Sequence, residues 1–164
     1  MAEAAAETKN SRLSTVVGSV DDLVGAHVDT LADLFLRGRP PSAEALPKLL
    51  PGKFLNFAGS RAAHLLLRPA TRLLSERVLS WNGIVLDHGG ERGANRFGDR
   101  EAVRFRVVAG ASLLDAGPAL LLLYGEAPWP LSLLRDELRV VAPGVALGPT
   151  YFGDALVGWF GLRV

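Results

Sequence analysis

One carboxylate in this sequence stands where strand alternation would bury it. In the stretch Leu133–Val141, Leu134, Leu138 and Val140 share a face with Asp136, whereas Arg135, Glu137 and Arg139 share the other, which reads as charged and solvated. A lone carboxylate among leucines is costly to bury unless it is paired or protonated. Burial also raises its pKa toward the range of a general acid or base. A bulge, or a strand that begins later, would instead leave Asp136 on the surface or bonded to a turn amide. Tyr124 and Tyr151 are the hydroxyls that could share a pocket with it, and Trp81, Phe105 and Trp159 are the aromatic residues that could line one. The same side chains would equally serve to fill a core.

Other candidate chemistry is sparse. Arg104 and Arg106 alternate with Val103, Phe105 and Val107, and are expected on an outer face as cross-strand partners of Arg135, Glu137 and Arg139. His88 lies in Asp87-His88-Gly89-Gly90-Glu91-Arg92-Gly93, where a histidine beside an aspartate could relay protons, although polar glycine-rich loops also arise from turn geometry alone. His27 and His64 are far apart in sequence, there is no cysteine, and no histidine pair has ligand spacing, so no protein-built metal site is expected. Residues 89–93 match neither a Walker loop nor a dinucleotide fingerprint, and no serine stands in a Gly-x-Ser-x-Gly elbow. No cofactor is expected.

The elements that would position these residues divide the chain in two. Residues 1–18 read as a flexible leader and 19–164 as one domain, helical over 19–77 and antiparallel β over 78–164. Ser19 can cap a helix with Asp21 and Asp22 in its first turn, Leu23, Val24, Val28, Leu31, Leu34 and Phe35 at helical spacing, and a stop at Gly38, Pro40 and Pro41. Ser42 can cap a short turn ended by Pro47, and Phe54, Phe57, Ala58, Ala62, Leu65 and Leu66 fit a third helix, with a helical pattern continuing past Pro69 to Val78. Beyond residue 80 the texture changes. Strands are expected near Val78–Leu86, Gly93–Phe97, Ala102–Val108, Ala119–Tyr124, Leu133–Val141, Val145–Tyr151 and Leu156–Val164, joined by turns such as Ala142-Pro143-Gly144. Turns this close together, with no helix between them, favour an antiparallel meander.

Composition narrows the classes. Of 164 residues, 49% are hydrophobic and 21% charged, so the chain can bury a core and is not a disordered tail. The formal net charge of +1 makes no case for nucleic acid. The amino terminus lacks the pattern of a signal peptide and no apolar run approaches the length of a spanning helix, so a cytoplasmic protein without a transmembrane segment is expected. A mean hydropathy of +0.23 implies apolar surface gathered in a core, a lined cavity or a contact face. Residues 37–80 carry eight bases against two acids, whereas residues 1–36 carry two bases against six acids. The basic segment 48–77 could meet an anionic membrane or a protein partner, or form the solvated face of core-packed helices.

Helices first, then Trp81-Asn82-Gly83 opening a strand, then an antiparallel meander over about 78–164: this order resembles the calycin group of small barrels, which includes lipocalins and fatty-acid-binding proteins. It is also similar to bacterial domains of unknown function with a Gly-x-Trp-x-Gly-like opening strand, Leu79 standing here for the motif's first glycine. The resemblance implies an interior that holds a small hydrophobic molecule. The expected fold is therefore α+β, with N-terminal helices packed on an antiparallel, lipocalin-like β-barrel or strongly curved sheet. Its interior would bind a fatty-acid-, isoprenoid- or polyketide-like molecule at Trp81, Phe105, Tyr124, Asp136, Tyr151 and Trp159. The alternative is a cofactor-independent cyclase, isomerase or lyase, with Asp136 as acid or base and Tyr124 or Tyr151 as hydrogen-bond donor.

Overall fold

Eight strands hydrogen-bond in chain order, each antiparallel to the next, and the first pairs with the last to close a barrel. The computed structural model describes residues 16–57 and 80–164. The strands are β1 (Leu49–Phe57), β2 (Trp81–Leu86), β3 (Arg92–Phe97), β4 (Arg100–Ala111), β5 (Pro118–Leu123), β6 (Leu134–Ala142), β7 (Val145–Phe152) and β8 (Ala155–Arg163). Seven of them, β2 to β8, fall where alternation and turn residues put them.

β1 is the correction. Phe54 and Phe57 read as two positions of a helix because they are three apart. In the structure β1 pairs Phe54 with Phe160 and Asn56 with Trp159, so Leu55 is an extra residue in the ladder. A β-bulge shifts the alternation by one and places Phe54 and Phe57 on the same side of a strand, which imitates helical spacing. The remainder of that expected helix, the pattern continuing to Val78 and most of the leader lie outside the described residues.

The helical expectation for 19–37 also changes. A single 3₁₀ turn, Val20–Leu23, is separated from helix α1 (Val28–Arg37) by a break containing Gly25 at φ 75°. Asp22 does close the expected cap, its Oδ2 accepting from the backbone N–H groups of Ser19 (2.8 Å) and Gly18 (2.9 Å). That bonding holds the Asp22 carboxyl below its usual pKa. The short turn after Ser42 is present as Ala43–Ala45, although the Ser42 side chain makes no capping hydrogen bond. Neither helical element lies across an end of the barrel. They pack on the outside of the wall, where Leu23, Leu31 and Phe35 meet Leu121, Leu147 and Trp159.

The wall formed by β5 to β8 is thus buried on both faces. Its inner face packs Leu120, Leu122, Leu138 and Phe160 against Leu50, Ile84, Leu86 and Phe105 from the other strands. A strand covered on both faces reads as a continuous apolar run, as Leu120–Leu123 does. This double burial accounts for the high mean hydropathy.

It also overturns the reading of β6's outer face as solvated. Glu137 is 0% and Arg139 2% exposed, beneath α1 and the β4–β5 loop. Glu137 accepts from the Ser112 hydroxyl, the Leu113 backbone N–H (2.8 Å) and the Arg135 guanidinium (2.8 and 3.1 Å). Arg139 donates to both oxygens of Asp115 (2.8 and 2.9 Å), to the Pro118 carbonyl (2.9 Å) and to the Phe35 carbonyl at the end of α1 (3.2 Å). Its guanidinium also lies 4.4 Å from the Phe35 ring centroid. Arg104 and Arg106 face outward as expected but cannot pair with these residues, because β5 lies between β4 and β6.

Arg139 is therefore the clamp that joins α1, the β4–β5 loop and the barrel wall. Replacing it by Ala leaves Asp115 without its guanidinium and the Phe35 and Pro118 carbonyls short of a donor. Arg139→Ala is expected to lower stability by about 3 kcal/mol or more, read from urea unfolding, and Arg139→Lys to recover less than half of that because an ammonium cannot fork. A loss below about 1 kcal/mol would show that the clamp is incidental.

Candidate functional site

The described residues leave one end of the barrel unfilled. A cavity of about 210 Å³ opens there, lined by aromatic and aliphatic side chains from several strands together with Asn95, Tyr124, Asp136 and Thr150. Four of the five ladder irregularities among the described residues border it: β1 at Leu55, β2 at Asn82, β4 at Val103, and β8 at Val157. The fifth, between Val140 and Ala142, lies toward the other end. Bulges at a barrel rim redirect side chains and interrupt pairing.

Two of them shape the site directly. In β2, Ile84 and Leu86 point inward, so regular alternation would send Trp81 outward. The extra residue Asn82 turns it in, where its ring meets Phe160 edge-to-face at 5.9 Å between centroids. Gly83 makes this possible: its φ is 131°, and a Cβ there would stand 2.1 Å from the Leu50 carbonyl oxygen. In β4 the extra residue is Val103, a β-branched residue at φ 56°. Such a conformation is strained and persists where surrounding bonds hold it. Its carbonyl accepts from Asn95 Nδ2 at 3.3 Å.

The polar groups form a chain with a fixed direction. The Trp81 indole N–H, which can only donate, bonds Asn95 Oδ1 at 2.8 Å. That turns Asn95 Nδ2 toward Tyr124, whose hydroxyl oxygen accepts at 2.9 Å. The Tyr124 hydroxyl must then spend its proton on Asp136 Oδ2, at 2.7 Å. Asp136 Oδ1 is buried with no hydrogen-bond partner. Because Oδ2 is already an acceptor, a proton taken up by Asp136 goes to Oδ1.

The environment makes that uptake easy. Burial raises the Asp136 pKa to about 6, hydrogen bonds from Thr150 and Tyr124 oppose the rise, and the neighbouring Glu137 charge adds to it. Burial and the Asp136 charge likewise drive the Tyr124 hydroxyl well above its ordinary value, so it stays a neutral donor.

Of the residues singled out from sequence, Trp81, Tyr124 and Asp136 meet at this cavity. Phe105 supports them from within the packed core, its ring 5.4 Å from that of Tyr124. Tyr151 and Trp159 are corrections: both face the outer side of the wall. Trp159 packs edge-to-face on Phe35 at 5.9 Å beneath α1. Tyr151 pairs across β6 with outward-facing Arg135, and burial and the Glu137 charge raise its pKa to about 12. Along β7, alternation runs unbroken from Ala146 on the inside, so Thr150 faces the interior and Tyr151 faces outward with Val145 and Leu147.

Asn95 was missed, because nothing in the sequence marks a single asparagine on an arginine-flanked strand as interior. Its one visible signal is alternation with Gly93 and Phe97, both inward on β3. His88 lies at the opposite end, beside a hollow of about 240 Å³ that includes Glu44, Lys48 and Asp87. There Asp87 Oδ1 accepts from the Glu91 and Arg92 backbone N–H groups and serves the turn. Of the basic segment, Lys53 pairs with Asp21, and Arg61, Arg68 and Arg72 lie outside the described residues. Among the described residues no three His, Asp or Glu gather in a way that could hold a metal, and no helix is long and apolar enough to cross a membrane.

No protein-family model and no curated protein matches the chain. A solved structure does. The crystal structure of a protein from Thermomonospora curvata superposes with a TM-score of 0.56 over 88% of this chain and 91% of that one, at 16% identity. At that identity the likeness is one of fold.

The Asp136 environment yields a sign for pH dependence. The unfolded chain releases this proton near the ordinary 3.8, while the folded chain holds it to about pH 6. Stability is therefore lost as pH rises through that window, by about 3 kcal/mol in total. Asp136→Asn is expected to be more stable than the parent at about pH 7.5 in urea unfolding, with the difference closing as pH falls toward about 4. A difference independent of pH would contradict the assignment.

Proposed function

We propose that the chain is a lipocalin-like container that binds a small hydrophobic molecule in the open end of its barrel, with Asp136 fixing the molecule's polar group. The observation that carries this is the buried carboxyl of Asp136, with one oxygen unpartnered, in the lining of a mostly apolar cavity of about 210 Å³. Pre-formed apolar pockets with a few convergent polar groups are the usual form of a small-molecule site. An apolar cavity of about 150 Å³ holds a benzene ring, so this one suits a monocyclic isoprenoid- or polyketide-like molecule better than a long acyl chain.

A second reading is favoured by the proton chemistry of the same group. A carboxyl with a pKa of about 6 in the lining of a cavity is suited to acid or base catalysis near neutrality. In that reading the chain is a cofactor-independent isomerase, cyclase or lyase, and the Trp81-Asn95-Tyr124 chain holds Asp136 in position. Asp136→Asn then abolishes exchange of hydrogen between a bound carbon acid and deuterated water. The binding reading expects no such exchange from the parent protein.

Benzyl alcohol, a neutral ring with one hydroxyl, is the probe for the container. Its titration is expected to shift the methyl resonances of Leu134 and Val157, and Val157→Trp, which fills the cavity, to abolish the Leu134 shifts. Absence of shifts in the parent chain, or their persistence in Val157→Trp, would count against a cavity site.

A further inference from the structure

The polar end of the cavity has a charge preference of its own. Asp136 and Tyr124 are the ionisable groups among the described residues that line it, and no lysine, arginine or histidine does. The Tyr124 proton is committed to Asp136 Oδ2, and among the described residues no cationic side chain bonds Asp136. The fold has already removed this carboxylate from water. A ligand that brings a positive charge supplies the missing counter-charge, whereas one that brings a carboxylate adds like charge in a place of low dielectric.

The walls favour the same choice. Phe54, Phe57, Trp81, Phe97, Tyr124 and Phe160 contribute rings to the cavity. Phe54 and Phe57 lie tilted with centroids 4.4 Å apart, and Trp81 and Phe160 meet edge-to-face. A cation near aromatic faces gains from the ring quadrupoles, and more so when both are shielded from water. An aliphatic wall around the same carboxylate would offer no such term.

We propose that the cavity selects small hydrophobic amines in their protonated form, the ammonium N–H donating to the Asp136 carboxylate and the apolar body lying among the rings. This rests on the container reading and narrows it: the ligand's head is a cation, and fatty-acid carboxylates are disfavoured.

The test uses three probes of nearly one shape on the full chain. They are phenethylammonium, propylbenzene as its neutral isostere, and 3-phenylpropionate as the anion, each titrated while Leu134 and Val157 methyl resonances are followed. At about pH 7.5 phenethylammonium is expected to bind about tenfold or more tighter than propylbenzene, and phenylpropionate more weakly than either. In the unmodified chain the ammonium preference should shrink as pH falls below about 6, where Asp136 takes up its proton. Asp136→Asn should remove the preference.

If propylbenzene binds as well as the ammonium, or the preference survives Asp136→Asn or low pH, the amine proposal is wrong and the container reading stands. If none of the three binds, both fall.

Discussion

Pairing of β1 with β8 closes the sheet, and closure decides what Asp136 can be. An open curved sheet would have left the inward face of β6 in contact with water along one edge. Once the barrel is closed, Leu134, Asp136, Leu138 and Val140 share an interior with the inward residues of seven other strands. The carboxylate then has only the cavity end as a route to solvent. Its raised pKa, its commitment to Tyr124 and the free Oδ1 all follow from that enclosure.

The same closure explains why the molecule needs a second layer. The outer faces of β5, β7 and β8 carry apolar residues too, and the 3₁₀ turn Val20–Leu23 and α1 cover them with Leu23, Leu31 and Phe35. Beneath that cover the Glu137 and Arg139 networks satisfy the loop and helix ends that meet the wall. Charged groups on the two faces of β6 thus do different work. Outward, Glu137 and Arg139 are fully hydrogen-bonded and hold elements together. Inward, Asp136 keeps one buried oxygen unpartnered in the lining of the cavity.

Alternation was a sound guide wherever a strand ran straight. It put Asp136 inside with Leu134, Leu138 and Val140, and located β2 to β8 to within a few residues. It failed at bulges, because one inserted residue reverses the pattern without changing composition. Leu55 made β1 resemble a helix, and only the extra residue Asn82 turns Trp81 to the inward position that its aromatic character suggested; Tyr151, by contrast, faces outward by plain alternation with Val145 and Leu147, which its hydroxyl and ring did not reveal. Trp159 was misplaced for another reason: a wall buried on both faces offers no polar side by which to tell inside from outside. The contribution of Asn95 depended on β2, β3, β4 and β5 meeting at one point, which no local pattern encodes.

The measurement that bears most directly on this account is a carbon-13 NMR titration of the Asp136 side-chain carboxyl in the folded protein. A midpoint near about 6 is expected, moved downward when a cationic probe occupies the cavity. A midpoint at or below the ordinary 3.8 would mean that Asp136 is solvated or paired, and the cavity would lose the group on which its chemistry depends.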